Sequence, residues 1–377
     1  MNEFTAAFLV GECFLLSFLL YFFPLKQNAQ ANKWLSFFIF ILGTAFNAVY
    51  LEKVGLADSL IHLIKLINSL QFLLAPSLYL SILYFVNPTN NFKIRYWLHF
   101  LPFTVFSVFE NLVFWSETSL STKLLFQLGD FEFWVRDLLP FLMLGYVALG
   151  LVTLNKHEAN LKFIASTTQN SNLKWLKRFL WYLILLLAFW IYDALSIFSI
   201  PFLLKLTGFI YAGSIFFLAF NAFRQGVIFP YKNDDLAEIS DILQINDVPL
   251  SDDKTKSRLT DEQIAELTAR LKNLMEVERI YLENELNLPA VAAKLEISIH
   301  DASYLINHCA GDNFYNFINR YRVEEAKRLL TSANTKNLKM LGIAFASGFN
   351  SKTAFNTAFK KWVGVSPSEY AQKQENH

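Results

Sequence analysis

Seven apolar stretches, each near the length of about 20 residues that a helix needs to cross the hydrocarbon core of a bilayer, fill the first part of this 377-residue chain. They run Phe4–Phe23, Trp34–Leu51, Leu66–Val86, Trp97–Trp115, Asp137–Leu154, Phe179–Ile200 and Phe202–Phe223. Pro24, Pro88 and Pro201 punctuate their ends, and Trp34, Trp97, Trp115, Trp134 and Trp181 fall near ends, where interfacial aromatics belong. With 54% hydrophobic residues, 39 Phe and only 17% charged residues, the chain is too apolar for an ordinary soluble protein. The composition breaks near Arg224, beyond which the chain is charged and unremarkable. The first residues, MNEFTAAFLVGECFLLSFLLYFF, carry neither a basic leader nor a small-residue cleavage site, so a retained span is expected. Cys13 and Cys309 lie too far apart in sequence and setting to suggest a disulfide framework or a metal cluster.

Loop charges orient the expected bundle. Lys26 and Lys33 lie in the first loop, Lys93 and Arg95 in the third, and Lys156, Lys162, Lys174, Lys177 and Arg178 in the fifth, against Glu158 alone. The alternate loops are poorer: Lys53 beside Glu52 and Asp58, then Lys123 and Arg136 among Glu117, Asp130, Glu132 and Asp137. Positive charge marks the cytoplasmic side, which sets the N-terminus outside. An odd number of spans then leaves everything after Phe223 in the cytoplasm, at a bacterial inner membrane.

Ionisable groups within a span are costly and are candidate sites by default. Glu12, Glu110, Asp193 and Lys205 qualify, with Asn47, Asn68 and Gln71 as polar companions. Asp193, in the middle of WIYDALS, is foremost, with Glu110 and Glu12 behind it; polar contacts between helices are the competing explanation. Lys205 lies close enough to an end to snorkel. No HExxH, GxSxG, P-loop or glycine-rich dinucleotide fingerprint occurs, so neither catalysis nor a cofactor is expected.

Residues 224–259 read as a polar, weakly structured linker. The helix that follows opens with a capping-box pattern, Thr260 and Gln263, and carries an apolar stripe of Ile264, Leu267, Leu271, Leu274 and Val277. Such a stripe serves equally to pack on its own domain or to dimerise and transmit a signal. Two helix–turn–helix patterns come next. In LNLPAVAAKLEISIHDASYLINHCAG, Pro289 suits a first turn, Val291, Ala292 and Leu295 form an apolar face, and Ser298 and Gly311 bracket the second helix. In NLKMLGIAFASGFNSKTAFNTAFKKWVGVSP, Leu341, Ile343, Ala344 and Phe345 build the support helix, and Gly348 turns the chain. Asn350 or Ser351 caps the second helix, and Ala354, Phe355, Ala358, Phe359 and Trp362 face inward. Lys352, Thr353, Asn356, Lys360 and Lys361 are left outside. A long amphipathic helix, NFYNFINRYRVEEAKRLLT, lies between the two patterns.

These residues give residues 278–372 a resemblance to the DNA-binding domain of the AraC/XylS family of bacterial transcription regulators. Leu288, Ala292, Leu295, Ile297 and Ser298 carry it in the first pattern. Gly311, Phe314, Phe317, Ile318, Arg320, Arg322, Val323, Ala326, Leu329 and Leu330 carry it in the linking helix. Ile343, Ala344, Gly348, Phe349, Ser351, Phe355, Phe359, Lys360, Gly364, Pro367 and Tyr370 carry it in the second. The resemblance implies that two reading helices dock in successive major-groove segments on one face of DNA. Candidate DNA-binding residues are then His300, Asp301, Ser303, Tyr304, Asn307, Arg320, Arg322, Asn350, Ser351, Lys352, Thr353, Asn356 and Lys360. The first reading helix departs from the pattern in having no Lys or Arg. Arg320–His377 holds ten basic residues against four acids, whereas Met275–Asn319 holds two against seven. Phosphate attraction supplies much of DNA affinity, so the second pattern is expected to dominate it.

The expected fold class is all-α: a seven-helix transmembrane bundle (1–223), a linker (224–259), a connecting helix (260–278) and a cytoplasmic AraC-like domain of two helix-turn-helix units joined by a long helix (279–377). The expected function is a membrane-integral one-component regulator. Its partners would be double-stranded promoter DNA, membrane lipid, RNA polymerase, a second copy of itself and a signal ligand. The alternative is a transporter or membrane receptor whose C-terminal helical domain serves as a protein-interaction module.

Overall fold

The computed structural model describes residues 1–23, 28–87, 92–116, 138–167, 172–194, 201–226, 228, 235, 238–239, 242, 259–332 and 338–375. Among them the chain is helical throughout, with a single isolated antiparallel bridge, Ala165 to Asn287. It folds as two compact units. One comprises Met1–Asn155 and Leu173–Ile228, the other Lys156–Asn172 and Phe229–His377.

In the first unit, α1 (Glu3–Phe22), α2 (Ala29–Lys53), α3 (Ile61–Leu70), α4 (Leu74–Val86), α5 (Leu101–Ser116), α6 (Leu139–Ile164), α7 (Lys174–Ala194) and α8 (Pro201–Arg224) account for the apolar stretches, α6 running on into the second unit. Among the described residues, four segments are long and apolar enough to cross a membrane: Glu3–Phe22, Ala29–Lys53, Ile61–Val86 and Leu139–Ile164. The third contains a tightened 3-10 turn at Gln71–Leu73, just ahead of Pro76, whose missing N–H cannot sustain the regular helical ladder.

α1 shows how such helices pack. Asn2 caps it, its side chain accepting from the Thr5 N–H at 2.8 Å. Ala6, Leu9, Cys13, Ser17 and Leu20 form a buried seam, at the three- and four-residue steps that keep one stripe of a helix on its neighbour. α1 packs against α2 and α8. The opposite face exposes Phe4, Phe8, Leu15, Phe18 and Phe22, and a helix apolar on every side suggests a membrane span. With apolar groups on both faces, burial alone gives little register, and small or polar residues set it instead. Ser17 and Ser36 bond reciprocally: Ser17 Oγ donates to the Ser36 carbonyl at 3.0 Å, and Ser36 Oγ to the Ser17 carbonyl at 2.8 Å. Ser81 Oγ donates to the Ala31 carbonyl at 2.9 Å. At the ends of α2, α7 and α8, Trp175 Nε1 donates to Gln225 Oε1 at 2.6 Å and Asn28 Nδ2 to the Gln225 carbonyl at 3.1 Å.

In the second unit, α9 (Asp261–Glu276) begins with both bonds of the capping box: Gln263 N–H to Thr260 Oγ1 at 3.3 Å, and Thr260 N–H to Gln263 Oε1 at 2.9 Å. Its buried stripe is Leu267, Leu271, Leu274 and Met275, packed on the helices that follow, whereas Val277 is 71% exposed. The stripe is therefore used within its own domain. The helices that follow are α10 (Leu288–Leu295), α11 (Ile299–Ala310), α12 (Phe314–Thr331), α13 (Met340–Ala346), α14 (Lys352–Val363) and α15 (Pro367–Glu375). α12 packs on α11, and Phe314, Phe317 and Ile318 near its start are buried. Its other end, through Val323, Ala326 and Leu329, joins Ile343, Ala344, Phe349, Phe355, Ala358 and Phe359 of α13, α14 and their turn.

A Cβ added at Gly43 would stand 2.8 Å from the Cys13 Cβ and 3.2 Å from the Phe14 ring, while Gly11 has nothing within 4 Å. Gly43→Val is expected to destabilise the first unit by about 1–3 kcal/mol, read as a lowered thermal midpoint. Gly11→Val should leave that midpoint nearly unchanged.

Candidate nucleic-acid interface

Two pairs of helices flank α12. α10 turns into α11 through Glu296, which adopts a left-handed conformation at φ 61°. Ser298 caps α11, its Oγ accepting from the Asp301 N–H at 3.0 Å and donating to Asp301 Oδ2 at 2.7 Å. Gly311 closes the helix at φ 63°. Ile299, Ala302, Leu305 and Ile306 are buried, which leaves His300, Ser303 and Tyr304 part-exposed and Asn307 and His308 exposed. Tyr304 and His308 stack with centroids 5.6 Å apart. Asp301 is also part-exposed, but its carboxylate already serves the cap. A further carboxylate comes from outside the pair: Glu238 Oε2 accepts from the Ile299 N–H at 2.8 Å.

α13 turns into α14 through Gly348 at φ 90°. A Cβ there would fall 2.5 Å from the Tyr281 carbonyl oxygen and 3.0 Å from the Leu282 Cα, so the position demands glycine both conformationally and sterically. Of the two capping candidates it is Ser351 that caps α14, accepting from the Ala354 N–H at 3.2 Å. Asn350 Oδ1 is buried with no hydrogen-bond partner among the described residues. Phe355, Ala358 and Phe359 point inward, Lys352, Asn356 and Lys360 share one exposed face at four-residue spacing, and Thr353 is exposed beside them. Trp362, expected to face inward, is 38% exposed instead, and of the support-helix residues only Ile343 and Ala344 are buried, with Leu341 and Phe345 at the surface. Lys361 packs over Trp362, its Nζ 5.0 Å from the ring centroid, and donates to Asn316 Oδ1 of α12 at 2.7 Å.

Arg320 and Arg322 separate sharply. Arg320 is exposed. Arg322 is 1% exposed, and the DNA contact assigned to it gives way to an internal role. Its Nε donates to the Tyr281 carbonyl at 2.7 Å and its Nη2 to the Glu283 carbonyl at 2.8 Å and to Ser166 Oγ at 3.0 Å. Its Nη1 reaches the Ser166 carbonyl at 3.3 Å and Asn319 Oδ1 at 3.4 Å. Burial pulls its pKa down to about 10, so the guanidinium remains charged at neutral pH. No signal in the sequence near Arg322 announces Ser166, 156 residues away.

One turn on, the buried Glu325 carboxylate accepts from Arg328 Nε at 2.9 Å and Nη2 at 2.8 Å, and pairs with Arg279. The Arg328 hydrogen bonds chiefly, with Arg279 adding, hold its pKa below the ordinary carboxylate value. Arg279 itself sits at φ 55°, and its Nε donates to the Tyr281 hydroxyl at 3.0 Å.

In the first unit, Glu12 is part-buried, and its Oε2 has no hydrogen-bond partner among the described residues. The side chains of Glu110, Asp193, Lys205 and Cys309, together with Trp134 and most of the linker, lie outside the described residues. Among the described residues, no group of three His, Cys, Asp or Glu side chains could hold a metal ion.

A family model for a helix-turn-helix domain matches residues 291–373, from within α10 through α11, α12, α13 and α14 into α15. The match supports a DNA-binding regulator of the AraC type and a regulatory, non-catalytic role for this part of the chain. No curated protein and no solved structure matches the chain.

Glu325→Gln should lower the stability of the second unit by about 2 kcal/mol at neutral pH, the scale of hydrogen bonds to a charged group. A depressed folded-state pKa contributes stability that is present above the unfolded value, about 4.3 for Glu. That stability is lost as the pH falls through the folded value. The gap between wild type and variant, measured by denaturant unfolding, should therefore be full at pH 7 and close on acidification below about pH 4.3.

Proposed function

We propose that this chain is a membrane-integral, one-component transcription regulator whose C-terminal domain reads promoter DNA in the cytoplasm. The observation that carries the reading is the exposed face of α14, where Lys352, Asn356 and Lys360 stand in line on a helix capped by Ser351. That face lies within the segment matched by the helix-turn-helix family. In this reading α14 lies in one major-groove segment and supplies most of the phosphate attraction, with Lys352, Lys360 and Arg320 near the backbone and Thr353 and Asn356 at base edges. α11 lies in the next segment and presents His300, Ser303, Tyr304 and Asn307, a neutral set suited to base contact rather than to phosphate attraction.

The apolar helices form seven spans with the second unit on the cytoplasmic side, supported by the positive charge of Lys26, Lys33, Lys93, Arg95 and the Lys156–Arg178 loop. Lipid, RNA polymerase, a second copy of the chain and a signal ligand are the remaining partners, and Glu12, Glu110 and Asp193 are the intramembrane candidates for contact with that ligand. A transporter or receptor with a C-terminal interaction module is not favoured, because the matched segment is a DNA-binding one.

The test uses the full chain in nanodiscs and duplexes enriched by it from a random-sequence pool. Lys352→Ala and Lys360→Ala should each weaken binding to all sequences and reduce the slope of log affinity against log salt by about one. Asn356→Ala should relax preference at one base pair by about 1–3 kcal/mol with the slope unchanged. Failure of the wild-type chain to enrich any sequence would sink the DNA-reading proposal. Unchanged slopes in both lysine variants would move the interface off α14.

A further inference from the structure

α6 leaves an unusual end. Its residues Leu139–Asn155 belong to the first unit, whereas Lys156–Ile164 and the chain as far as Asn172 belong to the second. His157, Leu161, Ile164, Ala165 and Ser166 are all buried. Ala165 pairs with Asn287 in the isolated bridge, and the Ser166 N–H donates to the Leu286 carbonyl at 3.2 Å. Ser166, 2% exposed, is fully used: its Oγ donates to the Leu286 carbonyl at 2.5 Å and accepts from Arg322, while its carbonyl accepts from Arg322 and from Asn319 Nδ2 at 3.3 Å.

We propose that the seat formed by Leu286, Asn287, Asn319 and Arg322 is a docking site whose occupant is the chain's own 156–166 segment, and that its occupancy tunes DNA binding by the two helix pairs.

The seat lies where both pairs meet α12. Leu286 and Asn287 lead into α10, and Asn287 caps that helix by accepting from the Ala290 N–H at 2.9 Å. From the other side, a Cβ on Gly348 would stand 3.1 Å from Arg322 Nε, and the Phe349 ring centroid is 5.9 Å from the guanidinium carbon. One buried cation is thus touched by the lead-in to α10, by the turn between α13 and α14, and by the docked segment. Withdrawing Ser166 removes acceptors from both Nη atoms of Arg322. Each buried donor left without a partner costs about 1–3 kcal/mol, so an empty seat must admit water or let its walls shift. Either change acts on the spacing of α11 and α14. Because the segment ends a helix that begins in the first unit, a displacement there has a covalent route to the seat.

Docking is tested without DNA. In full-length chain with Cys13→Ser and Cys309→Ser, in native membranes, Ala165→Cys is paired with Asn287→Cys. Directly bridged residues bring Cβ atoms within about 4.5–5.5 Å, close enough for a disulfide after small adjustment. Mild oxidant should close an intrachain disulfide in most molecules, and the control pair Ala165→Cys with Lys352→Cys should form none. A yield no higher than the control overturns docking. Ser166→Arg, which sets a second cation against Arg322 without altering the C-terminal domain, should speed maleimide labelling of Ala165→Cys several-fold; an unchanged rate also counts against docking. Coupling rests on the DNA-reading proposal and is read in nanodiscs by comparing affinity for an enriched duplex with the disulfide closed and then reduced. The two should differ by at least about five-fold, the lower end of ordinary coupling between sites. Equal affinities overturn the coupling while leaving docking standing, and absence of any DNA binding falls on the DNA-reading proposal, since the disulfide yield reports docking by itself.

Discussion

A cation in a protein interior has to recover the hydration it gives up, and the second unit is arranged around that requirement at Arg322. Removing a guanidinium from water is costly unless each of its N–H groups finds an acceptor. Here the acceptors are carbonyls of Tyr281, Glu283 and Ser166, the Ser166 hydroxyl and the Asn319 amide, drawn from distant stretches of chain. None is a carboxylate, so no single ion pair holds the site, and the charge is shared among backbone dipoles. Such a hub tolerates little substitution. Lysine offers three donors on one nitrogen and cannot span a fan of acceptors that calls for the five donors of a planar fork. The nearby Glu325, with Arg279 and Arg328, forms a separate and more conventional cluster one turn along α12.

The first unit meets the opposite problem. Its helices are apolar on the inside and the outside alike, so hydrophobic burial does little to choose one packing over another. The choice falls to Gly43, which lets α2 approach Cys13, to the reciprocal Ser17–Ser36 pair, and to the Trp175, Gln225 and Asn28 cluster at the helix ends. In the proposed bilayer these are the features that would give α1, α2 and α8 a defined register.

Signals confined to a few neighbouring residues were readable in the sequence. The apolar stretches coincide with helices, and the caps at Thr260, Ser298 and Ser351 and the left-handed glycines at 311, 348 and 364 all stand where local chemistry puts them. Periodicity was less complete. It assigned Val277 to a stripe that Met275 fills, and it turned Trp362 inward, although the small core beneath α13 and α14 is already filled by three phenylalanines, Phe349, Phe355 and Phe359. Contacts between distant residues left no local mark at all. Arg322 reads as a surface partner of Arg320 until the carbonyls around it are known, and neither Ser166 nor Glu238 carries anything in its own neighbourhood that points to α12 or α11.

Glu238 sharpens the contrast between the two helix pairs. The first turn of any helix gathers unpaired N–H groups and a positive dipole end, which favour an anion. At α14 that end is capped by the neutral hydroxyl of Ser351 and flanked by Lys352, with no acidic residue in the first turn. At α11 the same end holds the Asp301 carboxylate in its cap and the Glu238 carboxylate on the Ile299 N–H. A phosphate approaching α11 therefore has to displace or face negative charge that α14 lacks. The asymmetry noted in the count of basic and acidic residues is thus built into the helix termini themselves. In the proposed reading this asymmetry would divide the labour between the pairs, with phosphate attraction on α14 and, beyond the acidic first turn of α11, neutral polar groups for base contact.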